Sequence, residues 1–282
     1  NGQRLAPNDH YQTVLLESAR SLASRFNPTT GCIRSWDNWG PTFPWQYPVI
    51  IDNMMNLELL FWATQATGDS TFYKVAVTHA DTTMKNHFRP DYSSYHVVDY
   101  DTISGKRIAQ QTHQGYADSS ACARGQAWGL YGYTVCYRET KDPKYLAQAD
   151  QIAAYILSRS NQTEDLIPYW DYDAPNIPNE PRDVSAATVA ASALYELSTY
   201  SADSLKYRAV ADSIINNLSK SYLVAPGTMY GFLLRSSTGH KPNGSEIDVP
   251  IVYADYYFLE ALLRKQRLEN GQPVVGGVLT RE

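Results

Sequence analysis

The sequence predicts an all-α protein in which helical hairpins follow one another around a toroid. A segment with an Asp, a nearby Tyr and then an Ala recurs along the chain, which indicates internal repetition. Apolar residues recur at the three- and four-residue spacing of helices, and no segment alternates convincingly between apolar and polar residues as a half-buried strand does. We therefore treat residues 1–282 as a single domain.

The predicted helices fall into two classes that alternate along the chain. Four begin near the repeated Asp, a residue favoured at helix starts, and their mixed polar faces predict an outer position. These outer helices cover residues 8–25, 69–87, 142–158 and 203–222. Four others combine Gly, Ala and Ser with aromatic residues, which predicts close packing in an inner layer. These inner helices cover residues 50–66, 121–139, 183–199 and 250–267.

The loop lengths predict where the functional site lies. Short turns follow the inner helices, whereas long loops at about 26–49, 88–120, 159–182 and 223–249 lead into them. All long loops therefore lie at one end, beside the inner-helix N-termini, where loops on a rigid scaffold carry function and backbone N–H groups attract anions. The pocket candidates in these loops include Trp36, Trp39, Trp45, His87, His96, His113, Gln114, Tyr169, Trp170, His240 and Lys241.

Composition excludes several classes of function. The net charge of −5 argues against a nucleic-acid binder, which would carry a basic face. No run of 18 apolar residues is present, so we predict no membrane span. Three cysteines without a CxxC spacing suggest neither a disulfide framework nor a zinc site, and no pattern calls for a metal or another cofactor. The 22 tyrosines and six tryptophans suit sugar binding or an aromatic core.

Two inner-helix starts carry candidate functional residues. Asp52 lies in a predicted first helical turn beside Met54 and Met55, so it is either a helix-start residue or a proton-transfer group. Arg124 and Trp128, four residues apart, share one helical face. Arg can bind a carboxylate with both arms of its fork and an indole can stack on a sugar ring; the alternatives are a salt-bridged Arg and a core Trp.

Several blocks, in order and over nearly all of the chain, resemble the unsaturated glucuronyl hydrolases, family 88 of the glycoside hydrolases. They are IIDNMMNLELLFWA, the His96 loop, HQGYADSSACARGQAWGLYGY, VSAATVAASALYEL and GSEIDVPIVYADYYFLEALLR. The resemblance implies an (α/α)6 barrel of six hairpins. With four outer and four inner helices, the chain is expected to lack the N-terminal helices, to leave a groove at that edge, and to be able to self-associate there.

The resemblance also implies a function. Such an enzyme removes a 4,5-unsaturated uronic acid from the non-reducing end of lyase-generated oligosaccharides of glycosaminoglycan type, by hydrating the C4=C5 vinyl ether. Asp52 matches the family's general acid/base, whose pKa we expect to be raised by apolar surroundings or a nearby carboxylate. The substrate-site matches are His96 and Gln114 for hydrogen bonding, Arg124 for polar or anionic contacts, and Trp128 for sugar stacking. Candidates for sulfate or a neighbouring sugar are Ser236, His240 and Lys241, whose alternative is a solvated loop.

Two positions depart from the family pattern. The family's second essential Asp has no match, and we expect it to precede this chain; otherwise Asp118 and Asp183 are the first to test. Cys122 stands where the family usually has Trp, which would alter a substrate wall. Two other functions stay open. One is an unsaturated rhamnogalacturonyl hydrolase acting on pectin fragments, although the RGQAW motif favours the glucuronyl hydrolase. The other is a non-catalytic sugar-binding remnant. A periplasmic or cytoplasmic location in a polysaccharide-degrading bacterium is expected by resemblance.

Overall fold

The computed structural model describes residues 2–37, 45–160 and 163–276, and in these ranges the predicted helical hairpins are present. The chain starts with a short helix, α1 (Gly2–Leu5). The outer helices are α2 (Asp9–Ser24), α4 (Ser70–Asn86), α6 (Pro143–Ser160) and α8 (Ser204–Ser221). The inner helices are α3 (Leu57–Thr67), α5 (Ala123–Thr140), α7 (Val184–Leu197) and α9 (Val252–Glu269).

The inner helices pack side by side in chain order. Helix α3 lies against α5, α5 against α7, and α7 against α9. Every residue of α7 is buried, because its small Ala and Ser side chains allow helices to approach it on both sides. Ion pairs among Glu58, Arg138, Glu196 and Arg264 join these four helices. The predicted alternation of outer and inner helices is thus confirmed.

The predicted first inner helix is split. Residues 51–56 form a 3-10 helix, Ile51–Asn56, and the α-helical geometry begins only at Leu57. The tighter first part lies against α5, where Gly132 leaves room for it: a Cβ at Gly132 would lie 2.4 Å from the Cβ of Met54. Asp52 therefore belongs to a 3-10 turn rather than to an α-helix.

Two small antiparallel sheets, which the sequence analysis did not predict, lie in the long loops. One pairs β1 (Phe26–Asn27) with β2 (Cys32–Ile33). The other has the order β3 (Pro48–Ile50), β4 (Val97–Tyr100) and β5 (Arg107–Gln111). All four residues of β4 are buried, so no polar alternation marks the strand in the sequence.

A groove of about 460 Å³ lies between α9 and the N-terminal segment. Leu5, Tyr256, Leu259 and Leu263 line it, and residues 274–276 form part of its wall. The neighbouring face of α9 exposes Val252 to 70% and Leu259 to 53%. The groove is thus lined mainly by α9 and residues 274–276, with Arg4 and Leu5 from the N-terminal segment. Over the described ranges, no helix combines the length and apolarity needed to cross a membrane.

Candidate active site

Pairing of β3 with β4 brings Asp52 and His96 together. Ile50 is opposite Val97 in the sheet, and the backbone N–H of Ile51 donates to the carbonyl of His96 at 3.1 Å. Asp52 is the second residue after β3 and His96 immediately precedes β4, so their side chains meet beyond the strand ends. The Oδ1 atom of Asp52 lies 3.6 Å from Nε2 of His96; the carboxyl side chain is 28% exposed and the imidazole 2%.

One hydrogen bond fixes the proton on the His96 ring. The backbone N–H of His113 donates to Nδ1 of His96 at 3.1 Å. A ring nitrogen that accepts a hydrogen bond carries no proton, so in the neutral ring the proton is on Nε2. The Nε2–H group is the one that faces Asp52, where it can donate to the carboxylate after a small approach.

The pKa of Asp52 is lowered, and the predicted raised value is wrong for the protein by itself. Burial raises this pKa, but the nearby His96 and, more weakly, Arg124 favour the charged carboxylate and outweigh burial. The sequence suggested the opposite because Met54 and Met55 are adjacent to Asp52, whereas the two basic residues are distant along the chain.

Unpartnered buried atoms mark the site. In residues 2–37, 45–160 and 163–276, Oδ1 of Asp52, Nε2 of His96 and Nε1 of Trp128 are buried without a hydrogen-bond partner. Buried polar atoms are nearly always paired, and leaving one unpaired costs about 1–3 kcal/mol. These atoms are therefore suited to receive the polar groups of a ligand.

Arg124 is buried, and both arms of its guanidinium are occupied. Nη1 donates to Asp183 Oδ2 at 3.0 Å and to the carbonyl of Thr238 at 2.7 Å. Nη2 donates to Oε1 of Gln114 at 3.0 Å and to the carbonyl of Gly239 at 2.6 Å. Arg124 thus binds the chain itself, as in the salt-bridged alternative.

The two carboxylates considered as partners of Asp52 are both engaged elsewhere. Asp183 is fully buried, pairs with Arg124, and caps α7 by accepting the backbone N–H of Ser185 at 3.1 Å. Asp118 is exposed and accepts the backbone N–H of Thr112 at 2.8 Å. Their contacts are those of structural carboxylates.

Trp128 resembles a core residue more than a sugar platform. It is 7% exposed, and its ring lies 5.8 Å from that of Tyr253 and 5.5 Å from that of Tyr257. Another aromatic surface adjoins Asp52 and His96: Trp36 stacks on Trp45 at 5.5 Å and lies 6.0 Å from His96. Tryptophans clustered in the 26–49 loop were the sequence signal for this surface. Trp39, from the same cluster, lies outside the described residues.

The 235–244 loop contacts the site through His240. Nε2 of His240 donates to the carbonyl of His113 at 3.0 Å. Lys241 pairs with Glu180 and lies 5.1 Å over the ring of Trp170, so its charge is already compensated.

Ser236 contributes to the anchoring of this loop. It has a left-handed backbone, with φ 68°, and its carbonyl accepts the N–H of Val184 at 3.1 Å. Only His240 of the three loop candidates is thus shown in contact with the surroundings of Asp52.

The remaining candidates from the long loops are buried in the protein. His87, Tyr169 and Trp170 are buried, and burial lowers the pKa of His87 to about 4. Cys122 is buried directly before α5. Within the part of the chain that the structure covers, no three His, Cys, Asp or Glu residues are grouped so that they could hold a metal ion.

Tyr253 is a site neighbour that the sequence analysis passed over. Its ring lies 5.9 Å from the guanidinium carbon of Arg124, and Asp52 is one of the charges that act on the pKa of its hydroxyl, which burial raises to about 12. The only sequence signal was its place at the start of the aromatic run in α9.

Comparison with known proteins identifies close relatives. No protein-family model matches the chain. The chain is 51% identical over 262 residues to an unsaturated glucuronyl hydrolase of Formosa agariphila; the match covers 93% of this chain and 65% of that protein. It is 34% identical over 268 residues to an unsaturated chondroitin disaccharide hydrolase of Streptococcus pyogenes, with the same coverages. The chain thus spans about 65% of the length of these relatives.

A solved structure agrees with these relatives. The crystal structure of an unsaturated glucuronyl hydrolase specific for heparin superposes with a TM-score of 0.92 at 49% identity. The superposition covers 95% of this chain and 71% of that one. The similarity therefore extends over nearly all of this chain.

Proposed function

The chain belongs to the unsaturated glucuronyl hydrolase family, and from this premise we propose that it removes a 4,5-unsaturated uronic acid from the non-reducing end of glycosaminoglycan oligosaccharides left by a lyase. The names of the relatives support this substrate class, since one acts on unsaturated chondroitin disaccharides and another is specific for heparin. The heparin-specific protein is the more similar of these two, at 49% against 34% identity, so heparin-type disaccharides are the first to test.

The observation that carries the proposal is the pairing of Asp52 with His96. Asp52 is the carboxyl group that the fold places at the loop end with one oxygen buried beside an imidazole and part of the side chain open. A single carboxyl group in this position can deliver a proton to one carbon and then accept a proton from water. Those two transfers are what the hydration of a vinyl ether requires.

The reaction balances without a cofactor. Protonated Asp52 gives its proton to C4, and the positive charge that develops is shared by C5 and the ring oxygen. The carboxylate of Asp52 then takes a proton from the water that adds to C5, which regenerates the acid. The resulting C5 hemiketal opens to a ketone, and the hemiacetal left at C1 releases the remaining sugar as an alcohol.

Substrate binding provides the protonated form of Asp52. The uronate carboxylate has the same charge as the Asp52 carboxylate, so its approach raises the pKa of Asp52. The sugar also excludes water from Asp52, and this desolvation raises the pKa further. His96 acts in the opposite direction, because its Nε2–H faces the carboxylate and stabilises it after the proton has left. Together the two effects bring the pKa of Asp52 closer to the working pH, as a group that acts first as an acid and then as a base needs.

Assays of the intact protein on unsaturated disaccharides from heparin, chondroitin and pectin test the proposal. Hydration removes the ultraviolet absorbance of the conjugated uronate, and in D2O it places one deuterium at C4. We expect both results with the heparin or chondroitin disaccharide. Ordinary displacement at C1 would instead release an unsaturated sugar that acquires no deuterium in the enzymatic step. That result, or no turnover of any of the three, would refute the proposal.

A further inference from the structure

The backbone of His113 is held from both sides by histidine rings. Its N–H donates to Nδ1 of His96 at 3.1 Å, and its carbonyl accepts from Nε2 of His240 at 3.0 Å. The rings of His113 and His240 are also in contact, with centroids 4.5 Å apart. His240 is thus connected to His96 through a single residue of main chain, although it comes from a different long loop.

This connection affects which ring nitrogen of His96 carries the proton. If Nδ1 of His96 lost the His113 N–H, only the Asp52 carboxylate, 3.6 Å from Nε2, would still favour one of the two neutral tautomers. In one tautomer Nε2–H faces Asp52, and in the other a lone pair faces the carboxylate and repels it. Placement of the His113 N–H is therefore part of what makes His96 a donor to Asp52.

The loop that carries His240 is firmly anchored. Arg124 holds the carbonyls of Thr238 and Gly239, and Asp183 holds Arg124 in turn. The N–H of Gly239 donates to the carbonyl of Glu246 at 2.7 Å, and the N–H of Ser245 to the carbonyl of His240 at 3.2 Å. The ring of His240 therefore starts from a fixed backbone, which a residue that positions another residue needs.

We propose that His240 is a positioning residue: by donating to the His113 carbonyl it fixes the main chain whose N–H holds His96 in the tautomer that turns Nε2–H toward Asp52. This role differs from the sulfate or sugar contact that its loop suggests by resemblance. It rests on the proposed function only in its effect on turnover, since the tautomer of His96 is a property of the protein alone.

Two substitutions separate positioning from other roles. His240→Ala removes the donor, whereas His240→Gln supplies an amide N–H that can reach the same carbonyl. The tautomer of His96 is read by NMR of protein labelled with ¹⁵N in the histidine rings, with the His96 signals assigned by their loss in His96→Gln. His10→Ala, which changes an exposed histidine on α2, is the matched control for removal of one imidazole.

We expect His240→Ala to convert His96 from one tautomer to a mixture, and His240→Gln to restore the single Nε2–H form. In the intact protein, kcat of His240→Ala should fall about tenfold, less than the ~10²- to 10⁴-fold typical of losing a general acid–base, and His240→Gln should recover most of it. An unchanged His96 tautomer in His240→Ala would overturn the proposal. So would a rise in KM with unchanged kcat, which is the signature of a direct substrate contact. If the wild type turns over no unsaturated disaccharide, the proposed function fails, and the NMR comparison still decides the positioning role.

Discussion

The ionisation of Asp52 is set by residues from other loops. His96, 3.6 Å away, and Arg124 lower its pKa against the effect of burial. Replacing His96 with Gln keeps a possible N–H donor but removes the imidazole that favours the Asp52 carboxylate, so the pKa of Asp52 should rise. A carboxyl ¹³C titration followed by NMR measures this directly. A pKa that stays the same in His96→Gln would mean that His96 does not control the charge of Asp52.

The buried pair of Arg124 and Asp183 makes a second prediction at this scale. Asp183→Asn keeps the size of the side chain and an oxygen for the α7 cap, but it leaves the Arg124 charge uncompensated. Because breaking a buried pair from one side is costly, we expect the free energy of unfolding to fall by about 3 kcal/mol. Asp142→Asn is the control, since Asp142 pairs with Lys144 at the surface and its substitution should lower the free energy of unfolding much less. Equal effects of the two substitutions would contradict the prediction.

The sequence predicted which residues lie near one another at the candidate site better than it predicted their contacts. Asp52 and His96 were selected by the family resemblance, and the structure brings them together. The hydrogen-bond partners of Arg124 could not be predicted, because the carbonyls that it binds, Thr238 and Gly239, are 114 and 115 positions away in the chain. A local pattern shows an Arg on a helix face, whereas only the folded loops show that its hydrogen bonds are already taken.

At the scale of elements, the position of Asp52 depends on how closely its 3-10 helix approaches α5. Gly125 and Gly132 permit that approach: a Cβ would lie 3.1 Å from Cγ2 of Ile51 at the first and 2.4 Å from Cβ of Met54 at the second. The helix pattern predicted these contacts only as an inner layer with small residues. The register that puts a glycine opposite Met54 was not visible in the sequence.

Gly132→Ala should therefore destabilise the protein, although Ala is the better helix former by about 1 kcal/mol. The added methyl meets the backbone of Met54 as well as its side chain, and overpacking of this kind costs about 1–3 kcal/mol. Gly129→Ala is the comparison, since its nearest neighbour is the ring edge of Phe88 at 3.2 Å. Chemical denaturation measures both variants. A Gly132→Ala variant as stable as Gly129→Ala would show that Met54 moves aside at little cost.

The β3–β4 pairing was missed for a physical reason. Each strand is three or four residues long, and β4 is buried on both faces, so neither shows the alternation that reveals a half-buried strand. The helices were predicted well because their period repeats over many turns. The least predictable elements are thus the ones that join Asp52 to His96.

For the whole molecule, the exposed face of α9 and the adjoining groove predict self-association. Val252, Tyr256 and Leu259 are all substantially exposed there, and contiguous apolar patches on proteins usually mark interaction surfaces. We expect sedimentation of the chain to show oligomers that increase with concentration. Leu259→Glu should shift the equilibrium toward monomer, whereas Leu205→Glu, at an 85% exposed residue of α8, should not. A chain that stays monomeric at all concentrations would contradict this prediction.

Turnover of an unsaturated heparin-type disaccharide by the Asp52→Asn variant of the intact protein tests the assignment of Asp52 most directly. The amide keeps the size and polarity of the side chain but cannot deliver or accept the proton. We predict that kcat falls by two or more decades, at the usual scale for loss of a general acid–base, with folding unchanged and with Asp9→Asn, at an exposed residue of α2, as active as wild type. Turnover by Asp52→Asn within a few-fold of wild type would contradict the assignment and transfer the chemistry to another residue.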